Sequence, residues 1–187
     1  MSNKSLTVIA NIKSGFKTKF GIPRQSGLTK DVRAQIVFQK PFNNPDYVRG
    51  LEGYSHVWLL WEFSECVNDG FTPTVRPPRL GGNKRMGVFA TRSPFRPNSI
   101  GLSSVKLEKI DYTDKGPVLT VLGADLLDGT PIYDIKPYLP FTDSHPDATF
   151  GFSEENFANN LQVKFENGIE NALPCEILNQ VISILIN

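Results

Sequence analysis

Ser-Val-Lys-Leu-Glu-Lys-Ile, residues 104–110, alternates polar and apolar side chains from residue 104 to residue 108. Successive side chains of a β-strand point to opposite faces, so this alternation predicts a strand with one solvent-facing side and one buried side. Similar runs rich in β-branched and aromatic residues, bounded by glycine, proline or polar clusters, occupy residues 6–12, 34–38, 56–63, 86–91 and 118–124. The sequence therefore predicts a protein that is mainly β.

The 15 glycines and 14 prolines are spread evenly along the 187 residues. An even spacing of glycine and proline is typical of short strands joined by tight turns. We therefore expect a single-sheet β-barrel over residues 1–145. A change of composition near residues 143–147 predicts the end of that domain. A small α+β unit is expected over residues 146–187, with a strand at 161–165 and an amphipathic helix at 174–186.

The composition and the missing motifs exclude several classes of protein. No apolar run is long enough to cross a membrane, and the amino-terminal residues lack the apolar core of a signal peptide. Two cysteines and two histidines are too few for a disulfide framework or a structural zinc site. The dinucleotide-binding, Walker and nucleophile-elbow motifs are all absent. We therefore expect a soluble cytoplasmic protein that binds neither metal nor membrane.

Charge is divided unevenly along the chain. Residues 1–107 carry 16 Lys and Arg against 6 Asp and Glu, whereas residues 108–187 carry 4 against 13. One interpretation is an electropositive surface for a polyanion such as RNA, and the other is pairing of these cations with the acidic second part. The cations of residues 70–107, a stretch without any acid, are Arg76, Arg79, Lys84, Arg85, Arg92, Arg96 and Lys106.

Five polar motifs interrupt the apolar strands. They occupy residues 21–25, 50–63, 75–83, 87–102 and 123–138. The last of them holds three carboxylates, which favours either recognition of a partly cationic small molecule or a structural network with arginines.

In content and order these motifs resemble the TsaA-like family (YaeB, TrmO), S-adenosylmethionine-dependent tRNA methyltransferases of a β-barrel type. The resemblance spans residues 9–144. It implies methylation at N6 of N6-threonylcarbamoyladenosine next to the tRNA anticodon, with S-adenosylmethionine as cofactor, by a homodimer. Its most specific segments are Pro-Arg-Gln (23–25), Pro-Pro-Arg-Leu (77–80), Gly-Val-Phe-Ala-Thr-Arg-Ser-Pro (87–94), Arg-Pro-Asn (96–98) and Asp-Ile-Lys-Pro-Tyr (134–138).

The resemblance also implies which residues surround the methyl donor. From the chemistry of the side chains, we expect Arg92 to bind the donor carboxylate, Asp125 its ammonium group, and Leu102 to pack on the adenine. The full implied set is Gln25, Ser26, Gly27, Phe63, Ser64, Arg92, Leu102, Leu122, Gly123, Ala124 and Asp125.

The acceptor nitrogen is a urea-type N–H, which a nearby base or hydrogen-bond acceptor would help to deprotonate. Asp134 and His56 are the candidates for this role, although a lone histidine at the mouth of a strand is more often structural. RNA phosphates or the threonyl carboxylate are expected to contact Arg76, Arg79, Lys84, Arg85 and Arg96.

The sequence departs from the family in one respect. Members usually continue into a further carboxy-terminal unit with an Asp-Pro-Arg-Pro-x-Tyr segment, and no such segment occurs here. The alternative hypothesis is therefore a non-catalytic S-adenosylmethionine- or RNA-binding barrel that lost activity with this segment. A third hypothesis, a small-molecule methyltransferase, does not explain the arginines that lack nearby acids.

Overall fold

A computed structural model describes residues 5–152, 162–166 and 168–186. Six antiparallel strands form a closed barrel, which confirms the predicted mainly-β barrel. The strands are β1 (Ala10–Lys13), β2 (Arg33–Phe38), β3 (His56–Glu62), β6 (Ile100–Thr113), β7 (Gly116–Leu122) and β8 (Pro131–Pro137). Their order around the barrel is β1-β2-β7-β6-β3-β8, and β8 pairs with β1 to close it.

The barrel interior is the hydrophobic core. Val57, Leu59 and Trp61 alternate inward along β3, while the residues between them are only partly buried. In β6, Val105 and Leu107 are buried and the intervening Lys106 is exposed, as the alternation in residues 104–110 predicts. Because the side-chain period of a strand is two, this pattern fixes which face of each strand is turned to the core.

Two short strands, β4 (Thr74–Val75) and β5 (Met86–Gly87), form a separate two-stranded ribbon. The strand predicted over residues 86–91 is therefore wrong beyond Gly87, since Val88–Ala90 is a 3-10 turn. The backbone N–H and the hydroxyl of Thr91 both donate to the Val88 carbonyl, at 3.1 and 2.9 Å. These two bonds close the turn and end the extended conformation.

After the barrel come a short helix, α1 (Pro140–Asp143), and the predicted terminal helix, α2 (Cys175–Ile186). The strand predicted at 161–165 is wrong over residues 162–165, which have no regular structure; residue 161 lies outside the described residues. Every strand of the closed barrel is already paired on both sides, so the barrel offers no edge to a further strand. The described part of residues 146–187 is accordingly helical and irregular rather than α+β.

The terminal helix lies near the first polar motif. A methyl carbon of Ile184 is 3.8 Å from the position that a Cβ on Gly21 would take. Over residues 5–152, 162–166 and 168–186, no helix is both long and apolar enough to cross a membrane.

Candidate functional site

A cleft of about 450 Å³ opens at one end of the barrel. The end of β3 and the start of β6 form part of its wall, and the segment that follows β7 forms another part. Residues before β2 and residues 91–96 complete it. A cleft of this size suits a small organic ligand of several hundred daltons.

Six of the residues expected around the methyl donor line this cleft, although the chain contributes them from five separate segments. The closed barrel brings these segments together because the ends of antiparallel neighbours meet at the same rim. The six residues are Gln25, Phe63, Ser64, Arg92, Leu102 and Asp125.

The other expected residues do not themselves line the cleft. The Gly27 N–H donates to the Gly123 carbonyl at 2.9 Å, and the side chain of Ala124 is buried. Gly123 has a φ of +76°, and a Cβ there would stand 3.2 Å from the Cα of Gly27, so a glycine is required. The Ser26 N–H donates to the carboxylate of Asp125. Leu122 instead lines a separate hollow with Asp31 and Arg33.

Asp125 is a partly buried carboxyl in the cleft. Burial raises the pKa of its carboxyl above the ordinary aspartate value, while hydrogen bonds from Ser103 and Ser26 and the positive charge of Arg92 act in the opposite direction. The Ser103 hydroxyl donates to Oδ1 of Asp125 at 2.6 Å. A partly desolvated carboxylate of this kind attracts a cationic ligand group strongly, because little water screens it.

Arg92 also lines the cleft. Its Nη1 donates a hydrogen bond to Oε1 of Gln25, which links the segment before β2 to residues 91–96. A guanidinium has five N–H donors, so one bond to Gln25 leaves the others for a ligand anion. The cleft therefore presents a cation and a carboxylate to the same ligand.

Three cations of the acid-free stretch do not pair with the acidic second part of the chain among the described residues. Arg76, Lys84 and Arg85 are exposed, and none forms an ion pair with any carboxylate among the described residues. Cations that do form such pairs come from other segments, such as Lys17 with Asp128 at 2.6 Å. The ribbon therefore presents uncompensated positive charge.

The remaining two arginines of the stretch differ from these. Nη1 of Arg96 donates to the carbonyls of Thr91 and Val88 at 2.7 and 3.2 Å, and its guanidinium lies 5.7 Å from the centre of the Phe89 ring. Arg96 thus stabilises the loop as well as lining the cleft. Arg79 lies in the turn Pro78–Leu80, and its side chain is outside the described part of the chain.

The two proton acceptors predicted from the sequence, His56 and Asp134, lie outside the cleft lining. His56 begins β3 six positions before Glu62, a span of roughly 20 Å along an extended strand. Its ring is hydrogen-bonded to the Ser55 hydroxyl at 2.9 Å. Asp134 forms a 2.9 Å ion pair with Lys136. Neither His56 nor Asp134 lines the cleft that the described residues form.

A residue of the cleft, Glu62, and its hydrogen-bond partner escaped the sequence analysis. The hydroxyl of Tyr133 donates to Oε1 of Glu62 at 2.5 Å, and Glu62 lines the cleft. Burial, together with the hydrogen bond to Glu62, raises the pKa of Tyr133 to about 12. A signal for Glu62 was present, since it is a single acid within the apolar run 57–63.

Comparison with known proteins gives the family. The sequence model of the tRNA-methyltransferase O N-terminal domain matches residues 11–144, most of the chain. The chain belongs to this family. The resemblance found in its motifs is thereby confirmed, and the closed barrel with its cleft is the architecture of this tRNA-methyltransferase O domain.

Relatives of this tRNA-methyltransferase O domain come from bacteria and mammals. The tRNA (adenine(37)-N6)-methyltransferase of Escherichia coli (strain K12) is 47% identical over 173 residues, which is 92% of this chain and 74% of that protein. The rat protein of the same name is 40% identical over 179 residues, covering 89% of this chain and 40% of its own. A crystal structure of TrmO from Pseudomonas aeruginosa has a TM-score of 0.67 at 40% identity, over 81% of this chain and 63% of that one. The chain thus spans only part of each relative.

Proposed function

We propose that this protein transfers a methyl group from S-adenosylmethionine to N6 of N6-threonylcarbamoyladenosine beside the tRNA anticodon. The observation that carries the proposal is the placement of the Asp125 carboxylate and the Arg92 guanidinium in one cleft. The name of the Escherichia coli relative, tRNA (adenine(37)-N6)-methyltransferase, supports the choice of acceptor.

The residues of the cleft fit the methyl donor. S-adenosylmethionine supplies an electrophilic methyl group on a positively charged sulfur. Asp125 would bind its ammonium group and Arg92 its carboxylate, since both charges sit on the same amino-acid end of the donor. Phe63 and the half-exposed Leu102 offer apolar surface for the adenine ring.

The ribbon is the proposed RNA-binding surface. Arg76, Lys84 and Arg85 project unpaired positive charge, and residues 91–96 connect the ribbon to the cleft. Contacts of arginine and lysine with phosphates provide affinity through release of counterions, independently of base sequence. Arg79 and Arg96 are proposed to add to this surface.

Catalysis by this site depends mainly on orientation. Methyl transfer requires an in-line approach of the acceptor nitrogen to the methyl carbon, and fixed walls on both reactants supply this. Arg92 is held by Gln25, and Asp125 is held by Ser103 and Ser26, so both donor anchors are rigid before the ligand arrives. Asp134 and His56, the proton acceptors expected from the sequence, do not line the cleft that the described residues form.

We also propose that the protein is a cytoplasmic homodimer with a domain boundary at residue 145. The dimer and the compartment rest on the family resemblance. The boundary is supported by the end of the last barrel strand at Pro137 and by the end of the family match at residue 144. Sedimentation equilibrium tests the dimer, and limited proteolysis tests whether residues 1–145 survive as a unit.

The proposed function is tested with radiolabelled S-adenosylmethionine and two tRNA preparations, one with and one without the threonylcarbamoyl group. Label is expected only in the modified tRNA. Label in both preparations would contradict the proposed acceptor. No label in either one, with donor binding intact by calorimetry, would favour the non-catalytic barrel instead.

A further inference from the structure

Glu62 combines a fixed position with an unused acceptor atom. It is the last residue of β3 and lines the cleft together with Arg92 and Asp125. Its Oε1 accepts the hydrogen bond from Tyr133, whereas its Oε2 has no hydrogen-bond partner among the described residues. A carboxylate accepts through both oxygens, so Oε2 remains available to a ligand.

An irregularity in the sheet brings Tyr133 to Glu62. Leu60 pairs with Asp134 and Trp61 with Ile132, which leaves Tyr133 as an extra residue on β8. Bulges of this kind re-aim a side chain and are frequent beside active sites. Without the extra residue, the alternation of β8 would not place both Tyr133 and Asp134 on the partly exposed side of the strand.

The other two carboxylates of the cleft are less suited to accept a proton from the acceptor. Asp125 already accepts from the Ser103 hydroxyl and the Ser26 N–H, which hold it against the barrel rim. Glu65 is exposed on the turn Ser64–Asp69 and has no described hydrogen bond to hold it. Glu62 is the carboxylate of the described cleft that is both anchored and free at one oxygen.

We propose that Glu62 accepts the proton lost by the acceptor nitrogen and that Tyr133 is the positioning residue that orients it. This inference rests on the proposed function. The acceptor nitrogen forms an N–C bond with the methyl carbon while the S–C bond breaks and leaves its electron pair on sulfur. The N–H electron pair stays on nitrogen, and the proton passes to Oε2 of Glu62 and then to water.

Several other charged groups line the cleft together with Glu62. They are Lys19, Arg24, Glu65, Arg92, Arg96 and Asp125.

The test is single-turnover methylation of threonylcarbamoylated tRNA by the full chain and its Glu62→Gln variant. Glutamine keeps an oxygen to accept from Tyr133 but cannot take up a proton, so the hydrogen bond survives the change. The rate at saturating donor is expected to fall about 10²- to 10⁴-fold, the usual contribution of general base catalysis. Dissociation constants for S-adenosylmethionine and for tRNA, measured by calorimetry and fluorescence anisotropy, are expected to stay within about threefold.

Tyr133→Phe tests the positioning role. Removing the hydroxyl leaves the Glu62 carboxylate in the cleft but takes away the hydrogen bond that orients it. We expect a roughly tenfold lower rate at saturating donor and tRNA, with both dissociation constants within about threefold of wild type. A purely structural role would change the melting temperature and leave the rate at saturation within threefold of wild type.

The chain contains a matched control pair. The hydroxyl of Tyr112 donates to Oε1 of Glu52, and the two residues are exposed and outside the cleft lining of the described residues. Glu52→Gln and Tyr112→Phe make the same chemical changes, and we expect wild-type rates and dissociation constants from both.

The other possible outcomes of these experiments overturn the inference alone or the proposed function as well. A Glu62→Gln rate within threefold of wild type overturns the inference and leaves the proposed function intact. A weaker donor affinity with an unchanged rate at saturation assigns Glu62 to donor binding and also overturns it. Absence of methylation by the wild-type chain overturns both. If Glu62→Gln does not fold, the Tyr133→Phe rate at saturation decides, and a rate within threefold of wild type is the overturning result.

Discussion

The hydroxyl of Ser103 donates a hydrogen bond of 2.6 Å to Oδ1 of Asp125 and so joins β6 to the segment that follows β7. The same hydroxyl oxygen accepts from Nε1 of Trp61 at 3.0 Å. Ser103 is therefore the link between the aromatic core of β3 and the carboxylate of the cleft. Removal of the Ser103 hydroxyl affects two polar groups that are shielded from water, the indole N–H of Trp61 and the carboxylate of Asp125.

Ser103→Ala is expected to lower the free energy of unfolding by about 1–3 kcal/mol at pH 7, because Trp61 and Asp125 both lose a partner. The lost donor also raises the pKa of Asp125 further, since the bond favours the charged carboxylate. The loss of stability is thus largest where Asp125 is ionised and shrinks as the pH falls and the carboxyl becomes protonated. Urea unfolding at pH 7 and pH 4 measures this; an equal loss at both values would contradict the electrostatic part.

Gly101→Ala is expected to destabilise the barrel by about 1–3 kcal/mol through overpacking. A Cβ at residue 101 would stand 2.3 Å from Cε2 of Trp61, so the buried indole has to move. Thermal unfolding and tryptophan fluorescence report the change. Gly53→Ala is the control: a Cβ there meets nothing within 4 Å, and we expect a change of less than about 0.5 kcal/mol.

Arg92→Ala is expected to weaken S-adenosylmethionine binding about 10- to 100-fold, the effect of losing a charge-assisted hydrogen bond. The affinity for tRNA should change much less, because Arg92 lines the cleft that we propose for the donor. Calorimetry with donor and anisotropy with tRNA separate the two. Arg49→Ala, which removes an exposed arginine paired with Asp46, serves as control. Equal losses of both affinities would contradict this division of roles.

Arg76→Ala and Arg85→Ala are expected to weaken tRNA binding and to reduce the slope of log affinity against log salt by about 1 each, as each change removes one phosphate contact. Donor affinity should be unaltered. Lys115→Ala, at the exposed turn between β6 and β7, removes a cation far from the ribbon and should leave the slope unchanged. An unchanged slope for both arginine variants would mean that the ribbon does not bind RNA.

The regular parts of the fold were predictable from local pattern. Alternation over residues 104–110 predicted a strand and its buried face, because burial on one face imposes a period of two. The strand at 86–91 was predicted too long, since the hydrogen bonds from Thr91 that close the turn depend on backbone geometry rather than on hydrophobicity.

The site was predictable only where motifs carried it. Arg92 and Asp125 were found from a family resemblance, and the structure brings both into the cleft. The Glu62–Tyr133 pair depends on a register shift between two strands that are far apart in the sequence, and no local pattern of residues specifies such a shift. Which cations remain unpaired also depends on distant carboxylates, so composition alone left two interpretations of residues 70–107 open.

Closure of the barrel ties ligand binding to the order of synthesis. The first strand pairs with the last one, residue 10 against residue 132, so a chain emerging from the ribosome cannot complete the sheet until β8 has been made. The cleft is lined by residues from Lys19 to Thr130, so a nascent fragment that lacks β8 carries these residues without the closed barrel that positions them. Once the barrel is closed, a ligand bound in the cleft favours the closed state over any state in which β1 and β8 have separated.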